Sequence, residues 1–257
     1  MRTDIIDFHV HPFLYPENNY CFYKDGYAMD LDCAHKHLSD LGISMVCGSV
    51  LGAVNRWEDI VHLNDQALEL QKLWGKFYIP GFHIHPDYAE QSVAQVKRMA
   101  QYGVKLVGEL VPYMHGWSIS HPGLIPILEE IQKNDMVVSF HSTGIPDEVI
   151  EPLLDRFSGI NFVAAHPGEK QSLLTHLDRM KRHKNYYLDL SGNGIGRMGM
   201  LRFGIDRASK ERFLFGTDFP LCPAEMYIAA VAHDPLLTDA EKQAIFCDNA
   251  QRILLGV

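Results

Sequence analysis

The sequence predicts a single-domain α/β protein, a (β/α)8 barrel of the TIM type that extends over residues 1–257. The chain is 257 residues long, which is typical of one such barrel. Hydrophobic residues form 47% of it and charged residues 21%, ordinary values for a globular protein. Short apolar runs alternate with longer amphipathic segments, and this alternation is the pattern of parallel strands wrapped by helices.

Eight apolar runs rich in Val, Ile, Phe and Tyr are the predicted strands. Most of them are continuously apolar, as expected of parallel strands that are buried on both faces. In chain order they cover residues 5–11, 44–50, 77–85, 104–110, 136–141, 161–166, 186–191 and 212–218. Eight is the number of strands in a closed barrel. An open doubly wound sheet remains the alternative, although no G-x-G-x-x-G motif follows the first strand.

Amphipathic segments between and after these runs are the predicted helices. They cover residues 57–74, 88–101, 124–134, 147–157, 170–181, 223–232 and 239–254. Thr238 is predicted to cap the last helix, with Glu241 completing a capping box. Four glycines between residues 192 and 199 leave room for only a short helix after the seventh strand.

The charge balance disfavours two classes of partner. The 32 acidic and 23 basic residues give a net charge of -9, which repels nucleic acid phosphates. The amino-terminal sequence MRTDIIDFHVH contains neither a secretory signal nor a membrane anchor. We therefore expect a small-molecule substrate, no nucleic acid and no membrane, with a homodimer as the default for oligomeric state.

The cysteines predict a cytoplasmic protein with reduced thiols. There are five of them, an odd number, and no C-x-x-C pair occurs. Such scattered positions fit neither a disulfide framework nor a zinc ribbon. They are Cys21, Cys33, Cys47, Cys222 and Cys247.

Histidines and carboxylates recur at the ends of the predicted strands. His9 and His11, two apart on the first strand, point to the same face about 6.5–7 Å apart. Taken alone, such a pair is equally explained by two packed histidines. Four further metal-ligand residues end later strands, namely Glu109, His141, His166 and Asp218. Barrel enzymes place their active sites at this carboxyl-terminal face, so the sequence predicts a metal centre there.

The segments FHVH, SFHSTG, AAHPG and FGTDFP resemble the ligand signatures of the amidohydrolase superfamily. The similar branch includes the carboxymuconate-semialdehyde and resorcylate decarboxylases, and the resemblance covers nearly the whole chain. VGELVPY around Glu109 departs from that branch and resembles instead a segment of TatD-type enzymes, whose glutamate bridges two metal ions. By that resemblance Glu109 is a bridging ligand; a salt-bridged carboxylate near the mouth is the alternative.

Metal chemistry suggests roles for these residues. Imidazole and carboxylate ligands suit zinc, with manganese or iron as other candidates. With two ions, Glu109 would bridge them, with His9 and His11 on one and His141 and His166 on the other. With one ion, His166 would lie outside the ligand shell and polarise the substrate or water. In both arrangements Asp218 is the expected general base.

Loop residues near the mouth are candidates for substrate binding. His83 and His85 end the third predicted strand, and Tyr113 and His115 follow the fourth, where barrel loops build specificity. Arg197 could hold a carboxylate. The alternatives are structural packing for His83 and His85, anchoring of the loop for Tyr113 and His115, and a solvated charge for Arg197. Histidines on predicted helices, His176 among them, are expected to be surface or capping residues.

Four functions are compatible with this pattern. The leading one is hydrolysis of an amide, lactone or ester bond in a small molecule by metal-activated water, catalysed by Asp218 and His166. The alternatives are non-oxidative decarboxylation or hydration of an aromatic or unsaturated acid, a TatD-like nuclease or phosphoesterase activity, and a non-catalytic barrel that binds a metal or ligand. The scaffold does not name a substrate.

Overall fold

A computed structural model describes residues 4–18 and 29–256, so Cys21 lies outside the described residues. Within this part of the chain eight strands form one parallel sheet, and each strand pairs with the next along the sequence. The strands are β1 (Ile5–Asp7), β2 (Ile43–Gly48), β3 (Tyr78–Phe82), β4 (Leu106–Leu110), β5 (Val137–His141), β6 (Phe162–Ala165), β7 (Tyr186–Asp189) and β8 (Phe213–Leu214). Their sequential order differs from the order of a doubly wound sheet.

The first and last strands are linked by the segments that follow them. Val10 and Phe219 form an isolated parallel bridge, and the amide of His11 donates to the carbonyl of Phe219 at 2.7 Å. The amide of Asp218 donates to the carbonyl of His9 at 2.8 Å. The sheet with its alternating helices is therefore TIM-barrel-like, as predicted, although β1 and β8 themselves are shorter than the predicted strands.

Helices occupy the connections between strands. They are α1 (Leu31–Asp40), α2 (Trp57–Trp74), α3 (Ala89–Gln101), α4 (Pro112–His115), α5 (Leu124–Lys133), α6 (Asp147–Arg156), α7 (Lys170–Arg182), α8 (Met200–Arg207), α9 (Ala224–Ala232), α10 (Asp239–Gln243) and α11 (Asn249–Leu255). The capping box of Thr238 and Glu241 at α10 is confirmed, and α8 is the expected short helix. A π-helical segment, Ala244–Asp248, separates α10 from α11 within the single predicted closing helix.

Helix α1 is absent from the helices predicted above. Asp30 caps its first turn by accepting a hydrogen bond from the amide of Cys33 at 2.7 Å. Its buried positions are Ala34 and Leu38, four residues apart on one face. Leu31, Ala34 and Leu38 stand at i, i+3 and i+7 after the Asp30 cap, so the segment does carry a helix signal that the predicted set of helices left out.

The apolar core consists of two clusters, and buried polar residues gather at one end of the sheet. A small apolar cluster joins residues of several strands to the last helix, including Ile6, Leu106 and Val163 from strands and Ala250 and Leu254 from α11. A larger cluster packs the helices against the sheet. None of the described helices combines the length and apolar character needed to cross a bilayer.

His176 on α7 is buried, so its expected surface location was wrong. Its Nδ1 lies 2.8 Å from the hydroxyl of Tyr186, and the guanidinium of the buried Arg179 lies beside the same hydroxyl. Burial, aided by the positive charge of Arg179, lowers the pKa of His176 to about 3. The folded protein therefore keeps this imidazole neutral where the unfolded chain would protonate it.

Acidification should consequently destabilise the fold through His176. The unfolded chain gains a proton as pH falls below 6.5, and the folded chain does not until about pH 3. Between pH 6.5 and 5 the wild type should lose about 1.5–2 kcal/mol more unfolding free energy than the His176→Phe variant. Urea unfolding at both pH values measures this. The exposed His62→Phe variant on α2 should follow the wild type, and equal losses in all three proteins would contradict the prediction.

Candidate metal centre

Six side chains singled out by the sequence meet at the carboxyl-terminal end of the sheet. They come from the segment after β1, the ends of β4 and β5, and the segments after β6 and β8. In chain order they are His9, His11, Glu109, His141, His166 and Asp218. His141 and His166 are half-buried and the other four are buried. The structure thus brings all six together, while their individual roles remain proposals.

The tautomers of His9 and His11 are set by acceptors behind them. His9 Nδ1 lies 2.9 Å from a carboxylate oxygen of Asp189, and His11 Nδ1 lies 3.1 Å from the carbonyl of Ser49. Because both partners only accept, each Nδ1 carries a proton, and each Nε2 can offer a lone pair to a metal ion. These two Nε2 atoms are 3.2 Å apart. Two bare lone pairs this close would repel each other, so either a proton on His9 or a metal cation has to lie between them.

Two carboxylate oxygens complete a set of four donor atoms. Glu109 Oε2 lies 3.5 Å from His9 Nε2 and 3.4 Å from His11 Nε2. Asp218 Oδ1 lies 3.6 Å from His9 Nε2 and 3.4 Å from His11 Nε2. Ligands 2.0–2.1 Å from a tetrahedral ion are separated by about 3.3 Å. The five distances are close to this spacing, and His9, His11 and Asp218 form a three-residue group that could hold one divalent cation, with Glu109 beside it.

The second carboxylate oxygen of Glu109 faces a different pair of histidines. Oε1 lies 3.2 Å from His141 Nδ1 and 3.6 Å from His166 Nε2. His166 Nδ1 lies 3.2 Å from the carbonyl of Ser191, which leaves its Nε2 lone pair directed at the carboxylate. His9, Glu109 and His166 also form a possible three-residue metal group. Glu109 therefore stands between two sets of nitrogen donors, the geometry required of a bridging ligand.

The negative charge of Glu109 compensates the positive charge of the histidines around it. Burial opposes ionisation of Glu109, but His9, His11 and His141 hold the pKa of its carboxyl well below the ordinary value. Burial disfavours the protonated form of His9, yet Asp189 and Glu109 raise the pKa of its imidazole well above the ordinary value. Without a cation the site is thus a compact set of ion pairs, and a metal ion has to displace a proton from it.

Two site residues have an uncommon backbone conformation. His166 and Asp218 both have a φ of +68°, in the left-handed region that favours glycine. Among the described non-glycine residues only Asp135 shares a positive φ. Such conformations cost on the order of 1–3 kcal/mol each and concentrate at functional sites. The backbone is therefore strained where it aims these two side chains at the cluster.

Asp189 and Ser191 also belong to the site, although neither was among the predicted site residues. The Ser191 hydroxyl donates to Asp189 and lies 3.1 Å from both His9 Nδ1 and His166 Nδ1. Burial opposes ionisation of Asp189, but His9 keeps the pKa of its carboxyl below the ordinary value. Asp189 could have been predicted, because it is an acid at the end of β7 and the predicted ligands are acids and histidines at the ends of other strands.

Replacing Asp189 with Asn should weaken metal binding about 10–100-fold, because the carboxylate behind a metal-ligating histidine fixes its tautomer and raises its basicity. Titration against a competing chelator measures the affinity. Asp178→Asn, the same change at an exposed position on α7, is the matched control and should bind metal like the wild type. Equal affinities in all three proteins would show that Asp189 does not support a metal ligand.

Three of the predicted substrate-binding residues are buried histidines in the loops after β3 and β4. His85 uses both ring nitrogens on the backbone, because Nε2 lies 2.9 Å from the carbonyl of His115 and Nδ1 accepts from the amide of Asp87 at 3.2 Å. It therefore has no ring nitrogen left for a substrate and ties two loops together. His83 and His115 each bond a backbone carbonyl through Nε2 only.

The other two predicted substrate-binding residues are exposed. Tyr113 has 68% of its surface exposed, and its ring centroid lies 5.1 Å from that of His141, at the rim of the site. The Arg197 side chain, 69% exposed, forms an ion pair with Glu169 at 2.6 Å. Its guanidinium thus already has an anionic partner, and substrate binding by both residues stays a prediction.

The chain matches a family model, Amidohydro_2, described as amidohydrolase, over residues 6–255. It therefore belongs to this amidohydrolase family, as its motifs predicted. No curated protein matches the sequence.

Solved structures with low sequence identity share the fold. A 2,6-dihydroxybenzoate decarboxylase from Rhizobium is 16% identical with a TM-score of 0.75, covering 98% of this chain and 99% of its own. A putative amidohydrolase from Staphylococcus aureus is 15% identical with a TM-score of 0.74, covering 99% and 100%. A dihydroxybenzoic acid decarboxylase from Polaromonas sp. JS666, with bound manganese and the inhibitor 2-nitroresorcinol, is 14% identical with a TM-score of 0.68, covering 98% and 97%.

Proposed function

We propose that this protein is a metal-dependent decarboxylase of a small aromatic or unsaturated carboxylic acid. The observation that carries the proposal is the set of four donor atoms, from His9, His11, Glu109 and Asp218, spaced like the ligands of one ion. Support for the reaction class comes from similar structures named as decarboxylases, which align over nearly the full length of both chains. Decarboxylation, an alternative in the sequence-based prediction, is therefore proposed in place of hydrolysis, which was the leading prediction.

The residues present fit a divalent cation. His9 and His11 supply neutral Nε2 atoms, while Glu109 and Asp218 supply two negative charges that balance the ion. Nitrogen and oxygen donors of this kind suit zinc and manganese alike, and manganese is the metal named for the Polaromonas enzyme. A bound cation would attract the carboxylate of the substrate and withdraw electron density from it.

Asp218 and His166 are the proposed proton-transfer groups. When the carbon–carbon bond breaks, carbon dioxide leaves and the bonding electron pair remains on the substrate carbon. That carbon must then acquire a proton, so each turnover consumes one proton from water. Asp218 is placed beside the donor set to take up this proton and deliver it to the carbon, after which its carboxylate is ionised again. His166, whose Nε2 lies 3.6 Å from Glu109 Oε1, is the second group near enough to this carboxylate to exchange a proton with it. Burial of the surrounding carboxylates and imidazoles excludes bulk water.

Hydrolysis is the second candidate, and one observation favours it. The two oxygens of Glu109 face separate histidine pairs, so His9 and His11 could hold one divalent ion and His141 and His166 another, and such ions would supply activated water for hydrolysis. This arrangement would also suit a TatD-like phosphoesterase. It names no substrate, and the structural neighbours with aromatic acids in their names support decarboxylation instead.

Product analysis of one reaction panel separates these functions. Manganese- and zinc-loaded protein is incubated with hydroxylated benzoates labelled at the carboxyl carbon, and in parallel with lactones, esters and phosphodiesters in oxygen-labelled water. Decarboxylation predicts labelled carbon dioxide and, in heavy water, one deuterium on the product carbon. Oxygen label in the product without carbon dioxide would instead establish hydrolysis. Release of carbon dioxide that persists after chelation would contradict the metal-dependent proposal.

A further inference from the structure

The loop after β7 packs directly against the imidazole of His166. Gly192, whose φ is +61°, lies so close to the ring that a methyl group on its Cα would be 2.4 Å from His166 Nδ1. The same Nδ1 lies 3.2 Å from the carbonyl of Ser191, and it carries the proton because a carbonyl only accepts. The direction of this imidazole therefore depends on where residues 191 and 192 lie.

The same loop is also bound to the chain segment that carries His166. The amide of Gly168 donates to the carbonyl of Asn193 at 2.8 Å, and a methyl group on Gly194 would be 2.4 Å from the carbonyl oxygen of Gly168. In addition, a hydrogen bond joins the ring of His176 to the main chain of His166. These contacts hold His166 at its positive φ, a conformation that persists only when the surrounding structure enforces it.

Tyr227 on α9 fixes the position of Gly192. Its hydroxyl donates to the Gly192 carbonyl, and only 1% of the Tyr227 surface is exposed. A side chain this buried is fixed by its packing, so Tyr227 is a rigid anchor for the loop. Because the Cα of Gly192 lies against the His166 ring while its carbonyl is bonded to Tyr227, this one residue connects the two side chains. Moving the Gly192 carbonyl would therefore move the surface on which the imidazole rests.

The Tyr227 hydroxyl stays protonated and is itself held in place. Burial, together with the hydrogen-bonded Cys222 side chain and the charge of Asp218, raises the pKa of Tyr227 above its ordinary value. The hydroxyl therefore remains a hydrogen-bond donor near neutral pH. The main chain of Asp218 does not depend on this contact, because its carbonyl also accepts from the amide of Leu221 at 2.8 Å. Removing the hydroxyl should consequently displace His166 more than Asp218.

We infer that Tyr227 is a positioning residue that acts through Gly192 to hold the imidazole of His166. The hydrogen bond keeps the loop after β7 against the ring, and the ring in turn keeps its Nε2 directed at Glu109, 3.6 Å from Oε1. Tyr227 is not a catalytic residue, because its hydroxyl proton is already donated to the main chain. The inference rests on the proposed function only for the consequence of a misplaced His166, which is slower proton transfer.

The protonated Nδ1 of His166 gives the signal that tests this inference. Nitrogen NMR of zinc-loaded protein with labelled histidine detects it, and His166→Gln identifies the signal by removing it. Tyr227→Phe keeps the aromatic ring and removes only the hydroxyl. We expect this change to shift the Nδ1 signal or to broaden it beyond detection, because the bond to the Ser191 carbonyl is no longer held in place. A signal identical to that of the wild type would overturn the inference.

Tyr78→Phe is the matched control for the loss of a buried hydroxyl. Tyr78 is also 1% exposed, and its hydroxyl donates to the carbonyl of another glycine, Gly48, at 2.7 Å. This variant should lose comparable stability and leave the His166 signal unchanged. Gly192→Ala places a methyl group where the ring lies and should move the signal without any change at Tyr227. An equal change of the signal in Tyr78→Phe, or no change in Gly192→Ala, would overturn the assignment.

Steady-state kinetics at equal metal content separates this inference from the proposed function. Tyr227→Phe should lower kcat about 10–100-fold, because misplacing a reacting group by about 1 Å can cost that much. KM should change less than about twofold, since the donors of His9, His11 and Asp218 are retained. An altered His166 signal in a protein that decarboxylates no acid would retain the positioning role and reject the proposed function. Wild-type kcat and an unaltered signal in a protein that does decarboxylate would do the reverse.

Discussion

Asp218→Asn should lower turnover by about 10²–10⁴-fold while leaving the metal in place. The amide keeps an oxygen at the position of Oδ1, which lies 3.4–3.6 Å from the Nε2 atoms of His11 and His9 and so remains available to the ion. It cannot take up a proton and deliver it to the substrate carbon. Steady-state kinetics with the acid that serves as substrate measures turnover, and elemental analysis of the same preparation measures the metal content.

The control for this variant is a carboxylate of equal burial. Asp234, at the end of α9, has the same 8% exposure as Asp218 and accepts a hydrogen bond from the amide of Leu236. Asp234→Asn should alter stability without altering turnover per bound metal. If Asp218→Asn turned over like the wild type, proton transfer would have to be assigned to another group, with His166 next in line.

The sheet could be predicted because most of the strands lie in continuous apolar runs, and most of these runs end in a polar residue. The positions of β4 to β7 follow from this pattern almost to the residue. The ends of β1 and β8 do not, because His9 and Asp218 leave the ladder to face the metal centre. The two segments are linked there by the bridge of Val10 and Phe219 and by the hydrogen bond from the Asp218 amide to the His9 carbonyl. Pairing between distant segments of this kind has no signature in either segment alone.

The residues of the site could be predicted from the sequence, but the protonation states of their side chains could not. Six strand-end residues could be identified because ionisable groups are costly to bury in an apolar surround. The proton positions of His9, His83 and His115 depend on Asp189 and on carbonyls of the loop after β2, which only the fold brings near. His176 was misplaced for the same reason: its hydroxyl partner is on β7, and helix periodicity does not reveal it.

Glu109→Gln should weaken metal binding about 140-fold or more, because it removes one of two negative charges from a buried cluster of imidazoles. An uncompensated buried charge costs about 3–5 kcal/mol, and each 1.4 kcal/mol is about tenfold in affinity. Chelator competition measures the loss. Glu130→Gln, the same change at a half-buried position on α5, should bind metal normally.

Elemental analysis of the same pair of proteins then tests how Glu109 acts. Because its two oxygens face His9 and His11 on one side and His141 and His166 on the other, a bridging glutamate predicts two equivalents in the wild type and at most one in the variant. One equivalent in the wild type, lost on substitution, would make Glu109 a ligand of a single ion and leave His166 free to contact the substrate. Undiminished affinity in the variant would contradict both arrangements, since each requires the charge of this carboxylate to balance the ion.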